Sequence, residues 1–242
     1  MIFRWFRKAG YRTSYVGKFL NGYEDVDPSA QHIPGLAENN MAVRRIYRAS
    51  GVVVNNDGDP TRLKGHQTFA TTRSVVRSIR RADGQPFFAW AGYVAPHAME
   101  GDLQYAPVPP AGYPIRAAHR RPPSLAKASF NAARPWESPE VSRRVVRAVH
   151  RKRVRSLYAV DDGVRRIVRT LKRRGEYRDT ILVFASDNGM GMGSHRVMSK
   201  NVPYQDVIRV PLMMAGRRCR TAPATRSSHW SISRGRLRDS LT

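Results

Sequence analysis

The chain has 242 residues, 41% of them apolar, which is enough for one domain with a sizeable core. Its 43 Lys and Arg against 18 Asp and Glu give a formal charge of +25, and its single cysteine, Cys219, excludes an intramolecular disulfide and a thiolate metal cluster. No apolar run approaches the roughly 20 residues that a transmembrane helix needs, and the start from Met1 to Gly10 lacks the apolar core and cleavage site of a secretory signal.

Residues 1–10 read as an amphipathic helix that ends at Gly10. Tyr11 to Val16 has the aromatic and β-branched content of a strand and runs into Gly17-Lys18. Residues 24–66, rich in Asp, Asn, Pro and Gly, predict a long irregular excursion with one short apolar run at Val52 to Val54. Thr68 to Arg81 has helical spacing through Val75, Val76 and Ile79, and Phe87 to Ala91 reads as a second buried strand ending in Tyr93-Val-Ala-Pro96-His97. Tyr105 to Pro139 holds many prolines and no sustained period, so a surface loop is expected there. From Val141 to Arg174 the pattern is helical, clearest at Val164, Ile167, Val168 and Leu171, and it closes at Gly175. The apolar run from Ile181 to Ala185 predicts a strand buried in an α/β sheet, which the strand, helix, strand order makes parallel. Residues 217–242, with seven arginines and one aspartate, resemble a disordered tail.

The last strand stops abruptly at Ser186-Asp187-Asn188-Gly189. Two hard oxygen ligands at the carboxyl end of a strand suit Ca²⁺ or Mg²⁺, and the same residues also form plain turns. Lys18, His97, His195 and Lys200 are the other polar side chains at or near predicted strand ends. Singly, such a lysine is a solvated charge and such a histidine a loop hydrogen-bonder. Brought together with a hard cation, they would grip an anionic oxyacid ester and stabilise charge growing on its oxygens. The overall charge allows a polyanionic partner, nucleic acid or a sulfated polysaccharide, or simply a general preference for arginine, which appears without one clear stripe.

Several blocks occur in order: Ala9-Gly-Tyr-Arg-Thr13, Gly17-Lys-Phe-Leu-Asn-Gly-Tyr23, Pro86-Phe-Phe88 with Ala95-Pro-His97, and Leu157-Tyr-Ala-Val-Asp-Asp162. Ser186-Asp-Asn-Gly189, Gly193-Ser-His-Arg196, Lys200 with Pro203-Tyr204, and Arg209-Val-Pro-Leu212 follow. In this order they resemble the sulfatase family of the alkaline-phosphatase-like superfamily, over most of residues 1–216. The resemblance implies an α/β alkaline-phosphatase-like sandwich with a mostly parallel central sheet, residues 1–216 forming a catalytic domain incomplete at its N-terminus. It implies that Asp187 and Asn188 are half of a Ca²⁺ site, that Lys18 and Lys200 contact the sulfate, and that His97 lies by the leaving-group oxygen. His195 is expected at the substrate, in a block that has Ser194 where many relatives have Glu. Gly17-Lys-Phe-Leu-Asn21 is similar to the glucosamine-6-sulfatase and heparan-type branch, which favours a sulfated sugar over an aryl sulfate.

The family's nucleophile is a formylglycine made from a Cys/Ser-x-Pro-x-Arg block, and an Asp pair on its first strand completes the calcium shell. Both belong upstream of the Ala9 block, which only eight residues precede here, and Cys219 stands in Arg218-Cys-Arg-Thr-Ala-Pro223, the wrong order of residues. The expectation is therefore a fragment: inactive alone, weak in calcium binding, with a sheet edge opened by a missing strand and an Arg/Ser-rich tail read in a shifted frame. Two other readings stand beside it, a non-catalytic basic module for nucleic acid or sulfated glycan and a phosphatase or phosphodiesterase of the same superfamily.

Overall fold

A computed structural model describes residues 2–25, 33–101, 104–132 and 139–216, so the tail expected over 217–242 lies outside the described residues. The elements are α1 (Ile2–Lys8), β1 (Arg12–Gly17), β2 (Glu38–Arg44), β3 (Val53–Asn56), β4 (Asp59–Arg62), α2 (Gln67–Ala82) and β5 (Phe87–Gly92). They are followed by α3 (Arg143–Arg173), β6 (Leu182–Ala185), the short α4 (Gln205–Ile208) and β7 (Leu212–Ala215).

The centre of the fold is the parallel triplet β2-β1-β5, with Tyr15 opposite Asn39 on one side and Trp90 on the other. Alternation along β1 sends Val16 to one face and Tyr15 to the other. Val16 joins Val75, Val76 and Ile79 of α2 and Ile167 and Leu171 of α3 in one buried cluster. Tyr15 meets Phe3 of α1 edge-on at 6.1 Å, while Phe6 of α1 stacks on Phe88 of β5 at 4.2 Å. The sheet is thus covered by α2 and α3 on one side and by α1 on the other, the layering expected of a parallel sheet. Glu38 fastens the layers: 2% exposed, it accepts hydrogen bonds from Arg12 of β1 at 2.9 and 2.7 Å and from Ser78 of α2 at 2.8 Å.

Two expectations need correction. The excursion over 24–66 is not wholly irregular, because it carries β2, β3 and β4, the last two added antiparallel to give the order β4-β3-β2-β1-β5. The signal was hidden because Asn39, Asn40, Asn55 and Asn56 lie inside strands, where turn-forming residues are depleted. Asn55 is held there by its side chain, which accepts from Gly58 N at 2.6 Å across the hairpin turn.

The second correction concerns β6. It lies outside the parallel sheet, paired antiparallel with β7 in a two-stranded ribbon. Leu182 packs against the same helical cluster as Phe87 and Ala91 of β5, so both sheets rest on α2 and α3. Yet β5 and β6 each have one unpaired edge among the described residues. The apolar run is covered on one face only, where Leu182 and Phe184 are half-buried. On the other face Val183 is 59% exposed and its cross-strand partner Met214 56% exposed, flanked by exposed Ile181 and Leu212.

The long helix α3 carries twelve Lys or Arg against two Asp. Arg147, Arg151 and Arg155, and again Arg165, Arg169 and Arg173, are like charges four apart, each such pair opposing the helix by roughly 0.2–0.5 kcal/mol. Burial of Val146, Val149, Ala159, Val160 and Leu171 on the opposite face holds the helix regardless, at about 1.5–3 kcal/mol per large apolar side chain.

Candidate functional site

Lys18 is placed by a close approach of two backbones. Gly17 and Gly92 face each other at the carboxyl ends of β1 and β5, where Lys18 N donates to Gly92 O at 2.8 Å. A Cβ on Gly17, which has φ +102°, would sit 2.2 Å from Gly92 O, so no other residue allows the chain to turn there. The Tyr15 hydroxyl donates to the Lys18 carbonyl, and the Lys18 ammonium donates to Phe19 O at 2.8 Å. Burial pushes the Tyr15 hydroxyl up to about 12, keeping it a neutral donor.

Beyond β5 the chain turns through Tyr93 to Pro96 and presents His97. Its Nδ1 lies 2.7 Å from Ala98 O, and a carbonyl oxygen only accepts, so Nδ1 carries a hydrogen and Nε2 is the nitrogen left for proton exchange. The imidazole stacks on the ring of Tyr47 at 4.7 Å with 28° between planes.

The ribbon supplies the second group. Asp187 is exposed at the end of β6, and one of its oxygens accepts from Asn188 N at 2.9 Å. Lys200 Nζ donates to Asn188 Oδ1 at 3.3 Å, so the structure joins two residues twelve apart that were expected to serve one site. Gly189 makes this possible: a Cβ there would stand 2.2 Å from Asp206 O, where Gly189 N and Met190 N pair with Val207 O and Asp206 O.

His195 has φ +49°, a left-handed backbone uncommon outside glycine, held by a hydrogen bond from its N–H to Ser129 O at 2.7 Å. Its ring lies 4.4 Å from that of Tyr204, nearly parallel at 14°. Ser194 is buried and donates to Asp206 Oδ2 at 2.7 Å, and Lys127 pairs with the other Asp206 oxygen. Burial works to raise the Asp206 carboxyl, but the hydrogen bonds from Lys127 and Ser194 and the charges on Lys127 and His195 hold it below its ordinary value. Ser194 therefore orients a carboxylate supplied by α4.

Lys18 and His97 stand at the ends of β1 and β5, whereas Asp187, Asn188, His195 and Lys200 belong to the ribbon and its loops. Tyr47, Lys127 and Asp206 escaped the sequence reading. Lys127 lies in a proline-rich loop, Tyr47 in a segment read as irregular, and no spacing ties any of them to its partner. Asp187 and Asn188 have the donor chemistry of a Ca²⁺ site but offer three side-chain oxygens between them where the ion takes six to eight. Among the described residues no group of three or more His, Cys, Asp or Glu could hold a metal ion, and no helix is long and apolar enough to cross a membrane.

Comparison with known proteins gives a match between residues 1–229 and the model of the sulfatase family. An arylsulfatase of Volvox carteri is 27% identical over 265 residues, covering 93% of this chain and 38% of that protein. The human N-acetylglucosamine-6-sulfatase is 23% identical over 236 residues, covering 86% and 39%. A solved structure described as a complex with its substrate D-glucosamine-2-N,6-O-disulfate superposes with a TM-score of 0.64 at 17% identity, covering 90% of this chain and 55% of that one. The chain thus spans under two fifths of these curated relatives and about half of the solved protein.

Proposed function

Because the chain belongs to the sulfatase family, we propose that residues 1–216 form the part of a sulfuric ester hydrolase that grips the sulfate group of a sulfated sugar. The observation that carries this reading is the hydrogen bond from Lys200 to Asn188, which sets an ammonium beside one of the two residues expected to hold the cation. Lys18 and Lys200 bind the sulfate oxygens and offset the charge that grows on them as the S–O bond breaks. His97 donates a proton from Nε2 to the leaving sugar oxygen, its ring kept in place by Ala98 O and Tyr47. Asp187 and Asn188 supply two of the oxygens for Ca²⁺, which when bound acts as a Lewis acid on a sulfate oxygen. His195, fixed against Tyr204, contacts the sugar side of the substrate. A sulfated sugar is preferred to an aryl sulfate because of the Gly17-Lys-Phe-Leu-Asn21 block, and because a fold neighbour is described with a sulfated glucosamine as its substrate.

These 242 residues contain no Cys/Ser-x-Pro-x-Arg block from which a formylglycine could form, so the isolated chain is expected to release no sulfate. The test joins it to a segment from a relative that carries that block and the Asp pair, and measures sulfate release from a 6-sulfated glucosamine with and without a calcium chelator. Release that needs the added segment and calcium, and that falls on Lys200→Met, is the expected result. Turnover by the isolated chain, or a joined protein that cleaves phosphate esters instead of sulfate, overturns the reading.

A further inference from the structure

The arginines of α3 form a stripe that the sequence alone did not reveal. Arg147, Arg151, Arg166, Arg169 and Arg173 are all exposed on the side of the helix opposite its buried valines and leucine. None of the five side chains has a hydrogen bond or ion pair to another described residue. Their neighbours are occupied: Arg155 donates to Tyr113 O at 2.6 Å, Arg143 lies over the Phe130 ring at 4.6 Å, and Arg165 is paired with Asp161 and Asp162. Asp162, Arg165, Arg166, Arg169 and Arg173 line an open groove of about 420 Å³. At ~1.5 Å per residue, Arg147 to Arg173 extends over roughly 39 Å.

We propose that this stripe is a docking surface for a linear sulfated polysaccharide, separate from the residues that grip the ester. The aromatic inventory separates this partner from single-stranded nucleic acid. Proteins that hold single strands set stacking rings among their cations, whereas among the described residues the tyrosines beside this groove are committed, Tyr158 to His119 at 2.6 Å and to the Arg116 guanidinium, and Tyr113 to Asp162 at 2.7 Å. A surface that offers cations without free rings reads anionic groups alone. The stripe also begins beside the candidate site. Phe130, under Arg143 in the first turn of α3, pairs with Ser194, the residue before His195. A chain lying along α3 would therefore have one end at the rim of the loop that holds His195. The choice of a sulfated glycan rests on the proposed sulfatase reading, but the surface itself requires no catalysis.

The test uses the full 242-residue chain and a size-fractionated heparin oligosaccharide, with affinity measured over a range of salt. Replacing Arg166, Arg169 and Arg173 together by Gln should weaken binding at least tenfold and make the log–log salt dependence shallower by about two to three, roughly one unit per ion pair lost. A second triple variant, Arg44→Gln, Arg80→Gln and Arg178→Gln, removes the same charge from other exposed positions and should weaken binding less than threefold. Equal losses in the two variants would mean that net charge alone binds the polymer and would overturn the proposal, as would single-stranded DNA of the same charge binding as tightly as the oligosaccharide. Lys18→Gln with Lys200→Gln separates the two readings. Binding that survives this change but fails in the stripe variant supports the stripe whether or not the chain takes part in sulfate hydrolysis, and the reverse pattern overturns it.

Discussion

Replacing Gly17 by alanine tests the backbone contact that places Lys18. The new methyl would meet Gly92 O at 2.2 Å and Gly92 C at 2.9 Å, in a residue whose φ of +102° already disfavours a side chain. To relieve the contact, β1 and β5 must separate by about 1 Å, because carbon and oxygen tolerate roughly 3.3 Å at closest. That separation breaks the bond from Lys18 N to Gly92 O, worth about 0.5–1.5 kcal/mol net. Overpacking adds about 1–3 kcal/mol and the left-handed backbone about 1–2 kcal/mol, so the variant should lose roughly 3–6 kcal/mol. With a urea slope of ~2–3 kcal/mol per molar, the unfolding midpoint falls by about 1–3 M. Gly10→Ala is the control: its φ is +85° but nothing lies within 4 Å of a Cβ, so only the backbone cost of about 1–2 kcal/mol remains and the midpoint should fall by about 0.3–1 M. Equal shifts in the two variants would refute the claim that the Gly17–Gly92 approach, rather than backbone conformation, dictates glycine.

Asp206 gives a pH prediction. Its carboxyl is held below its ordinary value of 3.8, so the stability it contributes is present above that pH and is lost as the pH falls through the lower folded value. Asp206→Asn should flatten the stability curve below about pH 4 while leaving its slope between pH 5 and 7 unchanged, as read by denaturant midpoints at each pH. The exposed face of the ribbon predicts concentration-dependent association, and Val183→Lys with Met214→Glu should abolish it in light scattering without lowering the unfolding midpoint. In the joined protein, His97→Asn should lower sulfate release by ~10²–10⁴. Tyr47→Ala should cost less than that, and Tyr47→Phe should retain the ring contact and the activity.

The sequence carried the helices and the strands β1 and β5 well because their signals are local. Val75, Val76 and Ile79 define the inner face of α2, and the run Phe87 to Ala91 defines β5, without reference to any partner. The asparagine-rich strands β2 and β3 were missed because their stability comes from neighbours: β2 from Glu38 held by Arg12 and Ser78, β3 from pairing on both sides. The placement of β6 outside the parallel sheet was illegible for a related reason, since an apolar run reports what a strand prefers to touch and not what lies beside it. Within the candidate site, Lys18, His97, Asp187, Asn188, His195 and Lys200 were named from their positions at strand ends and from family blocks. Tyr47, Lys127 and Asp206 reach their partners across 50, 79 and 12 residues, distances over which no periodicity operates.

The two sheets share helices but, among the described residues, no ladder of hydrogen bonds runs from β5 to β6. Lys18 and His97 ride on one stiff plate and Asn188 and Lys200 on another, and the coupling between plates is the side-chain layer around Ile167, Leu171 and Leu182. Packed side chains yield more readily than a strand ladder, so in the proposed site the gap between the two lysines would be the dimension easiest to change. A substrate anion bridging them would act as a spacer that sets the gap, and a variant loosening Leu171 would change the span of the grip before it changed either half.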